Sequence, residues 1–397
     1  MRLGPSEEQR RFAQVLHEML TGNESAPMRR LWAALGDVGV TGLTVPERYG
    51  GLGAGADDLV VACEQLGRHA VAGPVAESIA AAPALLPGDV RRLPGLVTGR
   101  LIASLAAAPW LPYALDGDAV DLLLLVDGDT VHLGRAGEVH RSMDPARRLV
   151  AVQRGALVGT GRPVGRALDL GVLACSAQLL GAGRALLDMS VEHARTRTQF
   201  GRPIGAFQAV RHRLADVSVA LDFARPLLYA AAVALNETGG SAAVTLDETG
   251  GSAAVTLDRA SGIPAADVDA GRDVSAAKVA CGRAALLAAR TALQVHGAIG
   301  YTAEHRLGRY LTLVRALHLS WGTPDQHRRR VLAAISGGPD GPIGVREAPQ
   351  AGATAGDPTP QPVSGLGAAS DADVASESRG GLQSAGAGVA RTEEERS

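Results

Sequence analysis

The residues best equipped for chemistry stand together in one stretch, 195–216, which reads RTRTQFGRPIGAFQAVRHRLAD. Arg197, Gln199, Phe200, Phe207, Gln208, Arg211 and His212 bring cations, amides and rings into a short window of a chain whose aromatic content is only 3%. Guanidinium forks meet phosphate oxygens with several donors at once, and rings pack on flat heterocycles. The set therefore suits a large anionic, partly aromatic ligand such as a dinucleotide. His212, His296 and His305 lack metal-ligand spacing, so no metal site is expected.

These residues need a rigid mount. A run rich in Ala and Leu leads into the stretch from about Ala167, and Gly201-Arg202-Pro203-Ile204-Gly205 ends it. Pro203 restricts the residue before it, and the glycines tolerate backbone angles that other residues avoid. Helical spacing resumes at Phe207 and runs to about Leu235, then over 274–296, and over 307–335 with a break at Gly322-Thr323-Pro324. Four long segments of this kind predict an up-and-down four-helix bundle. Ahead of it, 95–165 shows short apolar runs separated by Asp and Gly, with a hairpin signal at Asp127-Gly128-Asp129. Before that, Ser6 and Gln9 form a capping-box pattern, and helices are expected over 6–20, 28–35, 59–68 and 75–86. The fragment GLGAG (51–55) lacks a preceding parallel-strand unit and reads as a turn, not a phosphate loop.

The expected fold class is thus mainly α with a small β domain. An N-terminal helical domain (1–94) is followed by a middle β-barrel-like, mostly antiparallel domain (95–165) and the C-terminal four-helix bundle (166–337). The stretch 338–397 has no aromatic residue and reads as a disordered tail. An 11-residue unit, ETGGSAAVTLD, occurs twice in tandem at 237–258 and reads as a duplicated surface loop.

At 397 residues, with 46% hydrophobic and 20% charged residues, the chain is long enough for two or three domains with a sizeable core. A net charge of −2 gives no electrostatic reason to expect nucleic acid. The three cysteines, Cys63, Cys175 and Cys281, make no paired spacing, so a reducing cytoplasm is the expected location. No uninterrupted apolar run approaches about 18 residues, so no membrane span is expected.

The domain order and three motifs together resemble the acyl-CoA dehydrogenase family: VPERYGGLG (45–53), RTQFGRPIGAFQAVRHRLAD (197–216) and QVHGAIGYTAEHRLGRYLTLVRA (294–316). The resemblance covers roughly 6–335, with the β domain matching in length and pattern only. It implies FAD as cofactor, with the adenosine diphosphate half reaching a neighbouring subunit. It also implies an acyl-CoA substrate, a homo- or hetero-oligomer with a related dehydrogenase subunit, and an electron-transfer acceptor. Carried over by position, Arg197 would meet the pyrophosphate, Phe200 would pack by the flavin or adenine, and Gln208 would hydrogen-bond the cofactor. Gln294 and Gly297 would lie along the pyrophosphate, and Thr323 of the Gly-Thr pair would be a further cofactor contact. The family usually has two glycines where this chain has Gly297-Ala298. Taken singly, Arg197 reads as a surface ion pair, Gln208 as a cap and Phe200 as core; their joint occurrence at family spacing favours the cofactor.

The family reaction removes an α-proton of an acyl-CoA while a β-hydrogen leaves as hydride, giving a trans-2-enoyl-CoA. A glutamate acts as general base, because that proton is only weakly acidic. It usually precedes the Gly-Thr pair, where this chain has Trp321, or lies on the helix before the central motif, where this chain has Gly171. An indole accepts no proton at neutral pH, so both positions lack a carboxylate and the catalytic residue is unknown. Three readings stay open. The chain is a base-lacking subunit of a heteromeric enzyme, as actinobacterial members acting on steroid side chains or other bulky acyl groups look; or Asp169 or Asp325 reaches the substrate; or the chain is a flavin-free structural protein. The family's Thr-Glu-Pro and Gly-Ser-Asp segments are also missing, and 106–119 reads AAAPWLPYALDGDA. There Trp110 and Tyr113 suit either ring stacking or packing between domains.

Overall fold

The computed structural model describes residues 4–24, 26–240, 269–302 and 305–336. The expected tail lies outside them, and the tandem repeat lies almost wholly outside.

Helix α1 (Glu7–Thr21) starts at the capping box read from the sequence: Gln9 N donates to Ser6 Oγ, and Ser6 N donates back to Gln9 Oε1. Helices α2 (Met28–Asp37) and α3 (Ala56–Arg68) follow. The apolar run after Gly73 then forms one π-helical stretch, Ala76–Ala81, continuing into α4 (Ala82–Leu85), and α5 (Leu93–Val97) precedes the strands. Short π segments inside helices are rare and concentrate at functional sites.

The strands fall between Ala103 and Gly159. Strand β1 (Ala103–Ala106) pairs in parallel with β3 (Leu122–Asp127), which turns through Gly128-Asp129 into β4 (Thr130–Arg141). Strand β4 pairs antiparallel with β5 (Arg148–Gly159), and β5 with β2 (Ala114–Leu115). The order is β1-β3-β4-β5-β2, and the edge strands β1 and β2 approach each other, giving the barrel-like curl.

Among the described residues, helix α6 (Val164–Thr196) is the central element. From Leu170 to Gly183 it carries no charge and is buried throughout, so it presents no face to water. Around it pack α3, the π-helical stretch, α7 (Gln208–Gly240), α8 (Ala270–His296) and α9 (Leu307–Leu319). Helix α10 (Pro324–Ser336) lies on α8. Each large aliphatic side chain buried here, such as Leu173, Leu180 or Leu186, stabilises by about 1.5–3 kcal/mol. The expectation of no membrane span, drawn from uninterrupted runs, needs amending: α6 and α7 are long and apolar enough to cross one. Of their most apolar windows, 89% in α6 and 44% in α7 is buried inside the protein.

Candidate functional site

The sequence-predicted cofactor residues divide between the two ends of α6. At its C-terminal end the helix stops at Thr196, and Arg197 leaves in extended conformation. A hairpin unseen in the sequence follows, β6 (Thr198–Gln199) against β7 (Arg202–Pro203). Its two turn residues, Phe200 (φ 52°) and Gly201 (φ 75°), both adopt positive φ. Two-residue hairpin loops favour this geometry, but it is uncommon for a phenylalanine. The Phe200 ring is 92% exposed and touches Phe207 edge-on at 6.2 Å between centroids, while the Arg202 guanidinium lies 4.2 Å over the Phe207 ring. Arg211 Nε donates to Gly205 O at 2.7 Å, fixing the start of α7 against the corner.

The end of α8 lies alongside. The His193 and His296 rings stack at 4.4 Å, with His305 against His296 at 5.1 Å. Burial holds both stacked imidazoles below the ordinary histidine value, His193 also through neighbouring His296 and Arg197. Gln294 stands half a turn before His296, and Gly297 caps α8 at φ 60°, ψ −138°, a conformation that needs glycine. Arg197, Phe200, Gln208, Gln294 and Gly297 thus share one end of the bundle, all exposed. The Arg197, Gln208 and Gln294 side chains make no hydrogen bond or ion pair among the described residues. A strained, exposed ring beside unused cations and amides fits a dinucleotide's adenine and pyrophosphate.

Thr323 is not with them. It sits near the other end of α6, where its Oγ1 accepts from Gln326 N at 3.3 Å and its own N donates to Gln326 Oε1 at 2.7 Å. Thr323 thus stands apart from the other five residues and serves as the N-cap of α10. Between Gly171 and Arg197 the axis of α6 runs about 39 Å at ~1.5 Å per residue.

At that second end both usual base positions come into contact. The Trp321 side chain is buried and lies against Gly171; a Cβ added there would fall under 3.0 Å from three carbons of the indole ring. Trp321 has φ 59°, and its carbonyl accepts from His327 Nε2 at 2.8 Å, with His327 Nδ1 against Ser275 Oγ at 3.1 Å. Gly322 N donates to Trp110 O at 3.1 Å, and the Trp110 ring rests on His327 at 5.2 Å, so Trp110 packs between domains. Lys278, fully buried, donates from Nζ to Leu317 O at 2.6 Å near the end of α9.

The carboxylates proposed from sequence do not reach this place. Asp169 is buried in an ion pair with Arg330, Oδ1 to Nη1 2.6 Å and Oδ2 to Nη2 3.2 Å. Asp325 points into solvent and pairs with Arg328 at 2.7 Å. The carboxylate that is there was missed: Glu77, in the π-helical stretch, accepts from Trp321 Nε1 at 3.2 Å. Burial pushes its carboxyl up, against the pull of Arg147, also buried, and of the indole N–H. Its sequence signal was modest but real, as the one charged residue between Ala70 and Gly88. The space left beside Glu77, Arg147, Gln178 and Trp321 is about 20 Å³.

Comparison with known proteins places two family matches on either side of the strands. Residues 7–88 match the acyl-CoA dehydrogenase N-terminal domain, and 162–336 the acyl-CoA dehydrogenase C-terminal domain. The chain is 29% identical over 309 residues to the acyl-CoA dehydrogenase IpdE2 of Mycolicibacterium smegmatis, covering 77% of this chain and 88% of that one. It is 33% identical over 217 residues to IpdE2 of Mycobacterium tuberculosis, covering 53% and 67%. Among solved structures, the ChsE4-ChsE5 complex from Mycobacterium tuberculosis superimposes with a TM-score of 0.68 at 22% identity, over 85% of this chain and all of that one.

Proposed function

Since the chain belongs to the acyl-CoA dehydrogenase family, whose members depend on FAD, we propose that it serves the α,β-dehydrogenation of an acyl-CoA thioester as one subunit of a heteromeric enzyme. Its part is to hold the adenosine diphosphate half of an FAD shared with a related subunit; the usual base positions carry no carboxylate, and Glu77, the carboxylate beside them, is engaged by the Trp321 indole rather than by substrate. The observation that carries the sharing is the length of α6, and the lack of a carboxylate at Trp321 and Gly171 is what calls for a partner of a different sequence. The groups fitted to the pyrophosphate and adenine stand about 39 Å along the helix from the groups that would face a reacting acyl carbon. One chain does not bring both to one cofactor.

The residues at the corner have definite tasks. Arg197 directs an unused guanidinium at the pyrophosphate and offers paired donors to adjacent oxygens. The Phe200 ring packs on the adenine, and the Gln208 and Gln294 amides donate to oxygens of the dinucleotide. Gly297 leaves its side of the approach open, with nothing within 4 Å of where a Cβ would stand. FAD, when bound, supplies the hydride acceptor. The proton acceptor comes from the related subunit, because Trp321 and Gly171 offer none here. That the ChsE4-ChsE5 structure contains two differently named chains supports a mixed assembly.

The test is the flavin content of the complex formed with a related subunit. Arg197→Ala combined with Gln294→Ala is expected to strip flavin from the complex without dissociating it. Asp325→Asn, at the opposite end, is expected to leave flavin in place. Full flavin retention in the double variant would refute the assignment.

A further inference from the structure

We propose that Trp321 is a plug. The acyl cavity this fold would offer is filled by the chain's own indole, held by Glu77, so that this chain binds no acyl group and substrate is accepted by the partner subunit alone. The inference rests on the family reading of where the acyl group lies, and goes beyond the lack of a base: a chain without a base can still bind substrate.

A general base must reach the proton it removes at hydrogen-bond distance. Any position that serves as base in such enzymes therefore faces the acyl α-carbon. Gly171 and Trp321 are two such positions, and the structure puts them in contact, so the space between them is the space an α-carbon would need. Ring carbons of the indole occupy it. What remains is about 20 Å³, room for roughly one water, whereas a cavity that admits a benzene-sized guest is about 150 Å³.

The indole is also fastened. Its Nε1 donates to buried Glu77, its backbone carbonyl accepts from buried His327, and the next residue's N–H donates to Trp110. Moving the ring out would leave the Glu77 carboxyl without its indole partner in a buried site, which is unfavourable. The positive φ at Trp321 is a backbone geometry that bulky residues rarely adopt, and here these three bonds hold it. Gly171 completes the fit, because any side chain at that position would collide with the ring.

Calorimetric titration of the full-length chain with octanoyl-CoA and with CoA tests this. The readout is the ratio of the two affinities, which reports the acyl group alone. In the wild type the ratio is expected to stay near one. In Trp321→Gly it is expected to rise at least tenfold, since each methylene buried is worth roughly fourfold. Glu77→Gln, whose amide oxygen still accepts the indole N–H, is expected to keep the ratio near one. A wild-type ratio of ten or more overturns the proposal, and so does a Trp321→Gly ratio that stays at one. If Trp321→Gly does not fold, Trp321→Leu, which empties part of the site, is expected to give a several-fold rise, and no rise would overturn it equally. Flavin retention by the complex is measured separately, so failure of the shared-cofactor reading is distinguishable from failure of the plug.

Discussion

Gly171→Ala is a small change whose sign reports the contact between the two base positions. In the middle of a helix, alanine normally outdoes glycine by about 0.5–1 kcal/mol, because glycine loses more conformational freedom on folding. At Gly171 the added methyl would stand under 3.0 Å from three carbons of a buried ring. That ring's backbone is bonded to His327 and its nitrogen to Glu77, so it has little freedom to withdraw. Overpacking of this kind costs about 1–3 kcal/mol, which outweighs the helix gain and leaves the variant destabilised by roughly 1–2 kcal/mol. Trp321→Ala costs about 3–5 kcal/mol by itself. In that background the methyl has space, and Gly171→Ala should stabilise by about 0.5–1 kcal/mol. The coupling between the two substitutions is therefore about 1.5–3 kcal/mol. Urea unfolding followed by far-ultraviolet circular dichroism, which does not depend on the tryptophan being replaced, measures all four corners of the cycle. A Gly171→Ala protein as stable as wild type, or one equally affected in both backgrounds, would show that indole and glycine do not touch.

Three other outcomes follow from single contacts. Asp169→Ala leaves Arg330, only 8% exposed, without its carboxylate, and should cost about 3–5 kcal/mol, while the double change Asp169→Leu with Arg330→Met should recover most of it in urea unfolding. His327 is fully buried and burial pulls it down to about 3, so between pH 6.5 and 3 protons bind the unfolded chain preferentially. Stability is complete above the unfolded value and falls as pH drops through that window, by up to about 1.4 kcal/mol per pH unit, and His327→Gln should flatten part of the slope. Gly297→Ala forces a side chain into φ 60°, ψ −138°, which should cost about 1–3 kcal/mol and also lower flavin retention in the complex, read from its visible absorbance.

Much of the framework was written in local pattern. The bundle helices follow from long apolar periodicity, the first helix from Ser6 and Gln9, and the β3-β4 turn from Gly128-Asp129. The corner after α6 was legible because Gly201 and Pro203 break a helix whatever surrounds them. Tertiary geometry was not legible. The parallel pairing of β1 with β3 joins strands separated by the whole β2 segment, which no short-range signal specifies. The π-helical stretch adds one residue to a helical turn, and its apolar sequence looks like any buried helix. At the second end, the sequence showed two positions without a carboxylate but not that one fills the other, since Gly171 and Trp321 lie 150 residues apart. Glu77 escaped for the same reason, as its partners come from the β4-β5 loop and the turn after α9. The Gly-Thr motif likewise carries no sign that Thr323 stands apart from the other five residues and caps α10 through Gln326.

The most direct test is the visible spectrum of the purified full-length chain with FAD and octanoyl-CoA, recorded without and with a related dehydrogenase subunit. The chain alone should leave the flavin band unbleached by the thioester, and the mixed complex should hold flavin and bleach. A chain that by itself binds FAD and is bleached by octanoyl-CoA would contradict both the shared cofactor and the closed acyl site.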